Sequence, residues 1–184
     1  MKLAIVVGHN ARAQGALRPD TGETEFAWNS RLAKMILAEA KRFPGIDVRT
    51  FFRTPGGTYG DEIRRVYRET DDWGADATCE LHFNSHHNPQ ATGTETLSSG
   101  SAASLRYCEA LQARMLAALG LKNRGKKVVR TGRGAASLIA GRAPAALIEP
   151  FFGSSPKGRS ATDEPHEMRA LARAILVATQ DAFL

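Results

Sequence analysis

The sequence predicts an α/β domain built on a largely parallel sheet. Residues 2–7 form a continuous apolar, β-branched run, as in a strand buried on both faces, and Pro144 to Phe152 carry a second such run. Between them, short apolar segments alternate with longer stretches in which apolar residues recur at helical spacing. Strands alternating with helices point to parallel pairing through crossover connections. No internal repeat, low-complexity tract or linker divides the chain, so residues 1–184 read as one domain.

Taken in order, the first strand covers residues 2–7 and ends at Gly8-His9. Asn10 to Gly22 is rich in Gly, Pro and polar residues and reads as a loop. A helix runs from about Thr24 to Arg42, with Thr24 or Thr21 as its cap and Glu23 and Glu25 near its positive end. Leu32, Ala33, Ile36 and Ala40 repeat at helical spacing, and Pro44-Gly45 stops the helix. Asp47 to Phe52 is a second strand, Thr54 to Gly60 a loop, and Asp61 to Asp72 a polar helix.

Ala77 to Asn84 is the central strand. Cys79, Leu81 and Phe83 alternate with Thr78, Glu80 and His82, which gives one apolar and one polar face. Beyond Asn84 the chain turns polar, through Ser85, His86, His87 and Asn88. Gly93 to Leu97 is a short strand, and Ser101 to Leu119 a helix with Leu105, Cys108, Leu111 and Met115 inward and Gly120 as its stop. Lys122 to Gly134 is basic, with a short strand between loops; Ala135 to Ala140 is a helical turn. Ser154 to Ser160 is a loop. The last helix runs from near Asp163 to Phe183, with Pro165 in its first turn.

Composition narrows the function classes. Hydrophobic residues make up 42% of the chain, enough for a packed core. Cys79 and Cys108 both fall on apolar faces, so buried thiols are expected and no disulfide framework. The apolar run at the start is too short for a signal peptide core or a membrane span, and no small-residue cleavage site follows it. Synthesis in the cytoplasm without an export signal, and no membrane insertion, are the expectations. The net charge of +6 favours polyanionic partners such as nucleic acid or an anionic wall, or else is a well-solvated basic surface. The basic stretch from Lys122 to Arg142 has no interleaved aromatics for base stacking, which counts against nucleic acid.

In an open α/β sheet, chemistry collects at the carboxyl ends of the strands. His9 and His82 stand at two such ends, and Glu149 lies near a third. Glu23 or Glu25 opens the helix after the first strand, beside His9. Two imidazoles and one carboxylate are a ligand set for catalytic zinc, with one position left for a water whose pKa falls to roughly 7. Glu149 stands between Ile148 and Pro150-Phe151-Phe152, an apolar setting that suits a carboxyl moving protons. Plainer roles exist for each: His9 bonding a backbone carbonyl, Glu23 or Glu25 satisfying the helix start, Glu149 pairing with an arginine.

Four segments, in order, resemble the zinc-dependent N-acetylmuramoyl-L-alanine amidases of bacterial cell-wall hydrolases and phage endolysins. They are Gly8-His9 with Gly15-Ala16; Glu25-Phe26-Ala27-Trp28-Asn29; Ala75-Asp76 leading to Leu81-His82-Phe83-Asn84 and Gly93-Thr94-Glu95; and Pro144-Ala145-Ala146-Leu147-Ile148-Glu149. The resemblance spans nearly the whole chain. It implies a mixed, twisted sheet flanked by helices on both faces. It implies His9, Glu25 and His82 as zinc ligands, the spacing to Asn29 favouring Glu25 over Glu23, and Glu149 as the catalytic carboxylate. The substrate it implies is the amide joining the lactyl group of N-acetylmuramic acid to L-alanine.

Two departures stand out. Where the family shows a Gly-Phe pair and an Asn after the catalytic Glu, this chain has Pro150-Phe151-Phe152-Gly153-Ser154, a segment expected to shape the substrate side. Glu80 lies two residues before His82 on the same strand face, where a small or apolar residue is expected; it either orients a ligand or pairs with an arginine.

The reading is therefore a monomeric, endolysin-type peptidoglycan amidase using Zn2+, acting at the wall after release or pore-mediated export. It carries no separate wall-binding domain and takes no nucleic acid. Its rivals are another zinc amidohydrolase or carboxypeptidase on a peptide or acylated amino acid, and a non-catalytic basic protein binding nucleic acid or wall.

Overall fold

The computed structural model describes residues 1–184. Six strands, β1 (Lys2–Val7), β2 (Asp47–Phe52), β3 (Ala77–Leu81), β4 (Thr94–Ser98), β5 (Asn123–Val128) and β6 (Ala145–Glu149), form one sheet in the order β2-β1-β3-β6-β4-β5. β1 runs parallel to β2 and β3, and β3 parallel to β6. β4 is antiparallel to β6 and parallel to β5. The sheet is thus mixed but mostly parallel. Its consequence for function is direct: the carboxyl ends of β1, β3 and β6 are neighbours on one edge, with the start of β4 beside them.

Helices cover both faces. They are α1 (Glu25–Ala40), α2 (Tyr59–Trp73), α3 (Ala102–Leu119), α4 (Ala135–Ala140), α5 (Pro156–Ser160) and α6 (Pro165–Phe183). Strand alternation divides the core. Leu3, Ile5, Val7, Cys79 and Leu81 face α1, α3 and α6 in the largest apolar cluster, which includes Trp28, Leu32, Leu111 and Ile175. Ala4 and Val6 face the other way, against Ile63, Val66 and Tyr67 of α2. Fully buried side chains of this size contribute roughly 1.5–3 kcal/mol each, so the larger layer supplies most of the rigidity behind the strand ends. Cys79 and Cys108 are free, buried thiols. No helix is long and apolar enough to cross a membrane.

Some local features depart from the sequence expectation. Thr58 and Asp61 form a reciprocal capping box, so α2 begins at Tyr59 rather than Asp61. Residues 156–160, expected as loop, form the short helix α5, capped by Ser155 and opened by Pro156. The central strand ends at Leu81, short of Asn84, although the His82 N–H still donates to the Ile148 carbonyl of β6 at 3.1 Å. Its polar face is not solvated: Thr78 and Glu80 are fully buried, because the second helical layer covers them.

Candidate active site

Gly8 follows β1 and donates its N–H to the Leu81 carbonyl at 3.0 Å. A Cβ at Gly8 would lie 2.5 Å from the His82 ring, so only glycine lets the imidazole cross the end of β1. His9 comes next, at φ 66, the only non-glycine residue in the left-handed region. That conformation costs on the order of 1–3 kcal/mol and is sustained by its surroundings. The Asn10 side-chain oxygen accepts from the N–H groups of Arg12 at 2.9 Å and Ala13 at 2.8 Å, which closes the turn. Gly15 then brings the loop back so closely that a Cβ there would stand 2.7 Å from Glu25 Oε2 and His9 Nε2.

Glu25 is placed by the start of α1. Thr24 caps that helix by accepting from Ala27 N–H at 3.1 Å. The Glu25 carboxylate is buried and accepts from Phe83 N–H at 3.1 Å and Ala16 N–H at 3.2 Å. His82 Nδ1 lies 2.8 Å from Glu25 Oε1, and His9 Nε2 lies 3.1 Å from Glu25 Oε2. Burial pushes the Glu25 carboxyl up, but the two imidazoles outweigh it and hold the group well below the usual carboxylate range. Glu23 is elsewhere, in a bidentate pair with Arg31 whose two contacts are both 2.8 Å.

His82 is held from its other side as well. Its Nε2 lies 3.0 Å from Oε1 of Glu80, and Glu80 Oε2 accepts from the Tyr67 hydroxyl at 2.7 Å. The expected alternative, a salt bridge from Glu80 to an arginine, does not form. Burial lowers the His82 pKa, but hydrogen bonding to Glu25 and Glu80 outweighs it and raises it well above the ordinary value. Burial likewise raises Glu80, and His82 more than offsets it.

One ligand atom from each of His9, Glu25 and His82 lies within 4.8 Å of the others, close enough to converge on one ion. His9 Nε2 is shielded from solvent and makes no hydrogen bond despite its nearness to Glu25. An orphaned imidazole nitrogen aimed at a carboxylate, with a second imidazole on the same carboxylate, fits a divalent cation of borderline softness. His86 and His87 stack on each other 4.1 Å apart in the exposed loop after β3, outside this group.

Glu149, the last residue of β6, lines the same cleft of about 320 Å³ with His9, His82, Arg53, Tyr59 and Arg133. Its Oε2 is closed off from solvent without a partner, and no arginine pairs with it. Burial pushes the Glu149 pKa up to about 8; the His82 charge opposes this, Glu25 and Glu95 add to it, and Arg133 opposes it. The sign for stability follows. From about pH 4.5, the ordinary value, to about 8, the folded chain keeps a proton that the unfolded chain has lost, so stability falls as pH rises through that window. In metal-free protein, Glu149→Gln removes this loss. Its melting temperature is expected to gain on the wild type between about pH 5 and 8, by about 2–4 °C for each kcal/mol. A gap that stays constant across that range, measured by thermal melts, would contradict a buried unpaired carboxyl.

The segment expected to shape the substrate side turns inward. Phe151 is fully buried, with its ring 4.7 Å from Trp28 and 5.2 Å from Phe83. Phe152 is buried beneath the Arg124 guanidinium, 4.9 Å from it. These rings brace β6 and the chain after β3, and they do not line the cleft. Two residues escaped the sequence reading. Tyr67 lies on the buried face of α2 with Ile63, Val66 and Thr70, and a buried tyrosine hydroxyl needs a partner. Arg53 directly follows β2, so the strand-end rule that singled out His9 and His82 applies to it too. It is buried, with Nη2 3.2 Å from Glu62, which also accepts from Asn10 at 2.7 Å.

A mixed α/β sheet with a His–Glu–His group and a separate shielded carboxyl along one edge defines a hydrolase catalytic domain. The chain belongs to the N-acetylmuramoyl-L-alanine amidase family, whose model matches residues 3–181. It is therefore a peptidoglycan hydrolase that cleaves the amide between N-acetylmuramic acid and L-alanine. Solved structures share the fold. The catalytic domain of an endolysin targeting Clostridia difficile is 24% identical, with a TM-score of 0.83 over 100% of this chain and 99% of that one. The catalytic domain of the amidase CwlV from Bacillus (Paenibacillus) polymyxa var. colistinus is 20% identical, with a TM-score of 0.82 over 98% and 97%. The N-acetylmuramoyl-L-alanine amidase of Clostridium difficile 630 is 20% identical, with a TM-score of 0.83 over 97% and 94%. Among curated proteins, none matches this sequence.

Proposed function

We propose that the amidase is zinc-dependent, with His9, Glu25 and His82 holding the ion and Glu149 carrying the proton. The observation behind this is the buried convergence of the three ligand atoms, with an unpaired carboxyl across the same cleft. Zinc held there supplies a water activated near neutral pH and an electrophile for the scissile carbonyl oxygen.

The chain's own residues do the rest. Glu149 takes a proton from the attacking water and delivers it to the alanine nitrogen as the amide breaks. A carboxyl whose burial has raised its pKa toward neutrality is suited to both halves of that transfer. Glu80 accepts from His82 Nε2–H, which fixes the tautomer and leaves Nδ1 for the ion; Tyr67 in turn holds Glu80. The strained His9 and the loop folded over it keep solvent off Glu25. In this reading residues 1–184 act as one monomeric, endolysin-type catalytic domain on peptidoglycan.

The test is mass spectrometry of products from purified peptidoglycan. Stem peptides with a new L-alanine amino end are expected, lost with a chelator and restored by zinc. New amino ends elsewhere in the stem would make the enzyme a peptidase instead. Cleavage that survives rigorous chelation would remove zinc from the mechanism.

A further inference from the structure

Arg133 has no role in the chemistry above, yet it lines the cleft with Glu149 and His82. The other cations around the cleft are committed. Arg53 is buried against Glu62. Arg124 at 2.6 Å and Lys127 at 2.7 Å both hold Glu95, a cleft residue, and leave that cluster with surplus positive charge. Arg133 alone among the cleft-lining cations has no carboxylate within salt-bridge distance, and it is solvent-accessible. It is not at the tip of a free loop either. The next residue, Gly134, is buried over Leu97 and Leu147, side chains of β4 and β6 that also line the cleft.

The direction of the substrate follows from Glu149. If Glu149 protonates the alanine nitrogen, the peptide that begins at that nitrogen leaves on the Glu149 side, and Arg133 is the unpaired arginine that lines the same cleft as Glu149. Peptidoglycan stem peptides carry carboxylates. The nearest to the scissile amide is the α-carboxylate of a second residue linked through its side chain, and it exists as the free acid or as a carboxamide. A guanidinium pairs with a carboxylate through two parallel hydrogen bonds and with a carboxamide only weakly.

We propose that Arg133 is the specificity determinant of a stem-peptide carboxylate subsite. It selects substrates whose second residue presents a free carboxylate over those in which it is amidated. The proposal rests on the reading of Glu149 as the proton carrier, and its test is chosen to stand apart from that reading.

The measurement is calorimetric affinity for two soluble N-acetylmuramoyl tripeptides whose second residue is a glutamate joined to the third through its γ-carbonyl, one with the α-carboxylate of that glutamate free and one with it as the carboxamide; the third residue is the same in both and its C-terminus is amidated. The Glu149→Ala chain keeps turnover from intruding. It is expected to bind the free acid about tenfold more tightly. With Arg133→Ala added, the two affinities are expected to fall within about twofold of each other. Arg133→Lys, which keeps the charge but loses the fork, is expected to retain an intermediate preference. Equal affinities without the Arg133 change, or a preference that survives Arg133→Ala, would overturn the proposal. An Arg133-dependent preference in a chain whose wild type cleaves nothing would support the subsite and overturn the amidase mechanism instead.

Discussion

Glu149→Ala is expected to bind zinc at wild-type affinity while turnover on purified peptidoglycan falls by about three orders of magnitude. The separation of the two effects comes from geometry. Glu149 lines the cleft with His9 and His82 but is not one of the three residues whose ligand atoms converge. On the proposed roles, removing it takes nothing from the ion and removes the group that would move the proton. Its loss also removes an unpaired buried carboxyl, so the variant is not expected to be less stable at neutral pH. A bound divalent cation lowers the Glu149 pKa from its metal-free value, since the added positive charge favours the carboxylate. The acid side of the pH–rate profile in the zinc-loaded enzyme should therefore lie below about 8 and vanish in the variant's residual activity. Zinc content after dialysis and initial rates decide the matter. Loss of zinc in Glu149→Ala would place that residue in the ligand set, and near-normal turnover would remove it from the chemistry.

The fold was legible because its signals are local. The apolar run of residues 2–7, the helical spacing around Leu32 and Ile36, and the Gly120 stop each depend on near neighbours in the chain. The reversal of β4 and β5 within the sheet was not, since pairing between Thr94–Ser98 and Ala145–Glu149 is set by contacts distant in sequence. The same division holds in the site. His9, His82 and Glu149 stand at strand ends and could be picked out by position. Glu23 and Glu25 could not be separated by composition; the separation in space comes from the Thr24 cap, which points one toward the imidazoles and leaves the other to Arg31. Glu80 stood on the polar strand face with two roles open to it, orienting a ligand or pairing with an arginine, and only the packing of α2 over that face reveals it as buried between His82 and Tyr67.

That burial makes the proposed ligand His82 and its support separable by experiment. His82→Ala is expected to lose zinc and turnover together, because it deletes one of the three converging atoms proposed to hold the ion. It also leaves Glu25 and Glu80 buried without their shared partner, at a cost of about 3–5 kcal/mol if both stay ionised, so a folding control by circular dichroism belongs with it. Glu80→Gln is the gentler probe. The amide oxygen can still accept from His82 Nε2–H, but the amide nitrogen that replaces Oε2 cannot accept from the Tyr67 hydroxyl, so the imidazole is held by a neutral, less firmly anchored partner. Zinc affinity, measured by competition with a chromophoric chelator, is expected to fall about 10–100-fold in Glu80→Gln while the fold is kept. The grading carries the argument. Zinc retained at full affinity in a folded His82→Ala would exclude that residue as a ligand. Wild-type zinc affinity in Glu80→Gln would reduce Glu80 to a packing residue, and the unusual carboxylate two positions before His82 would then lack a role in the metal's hold.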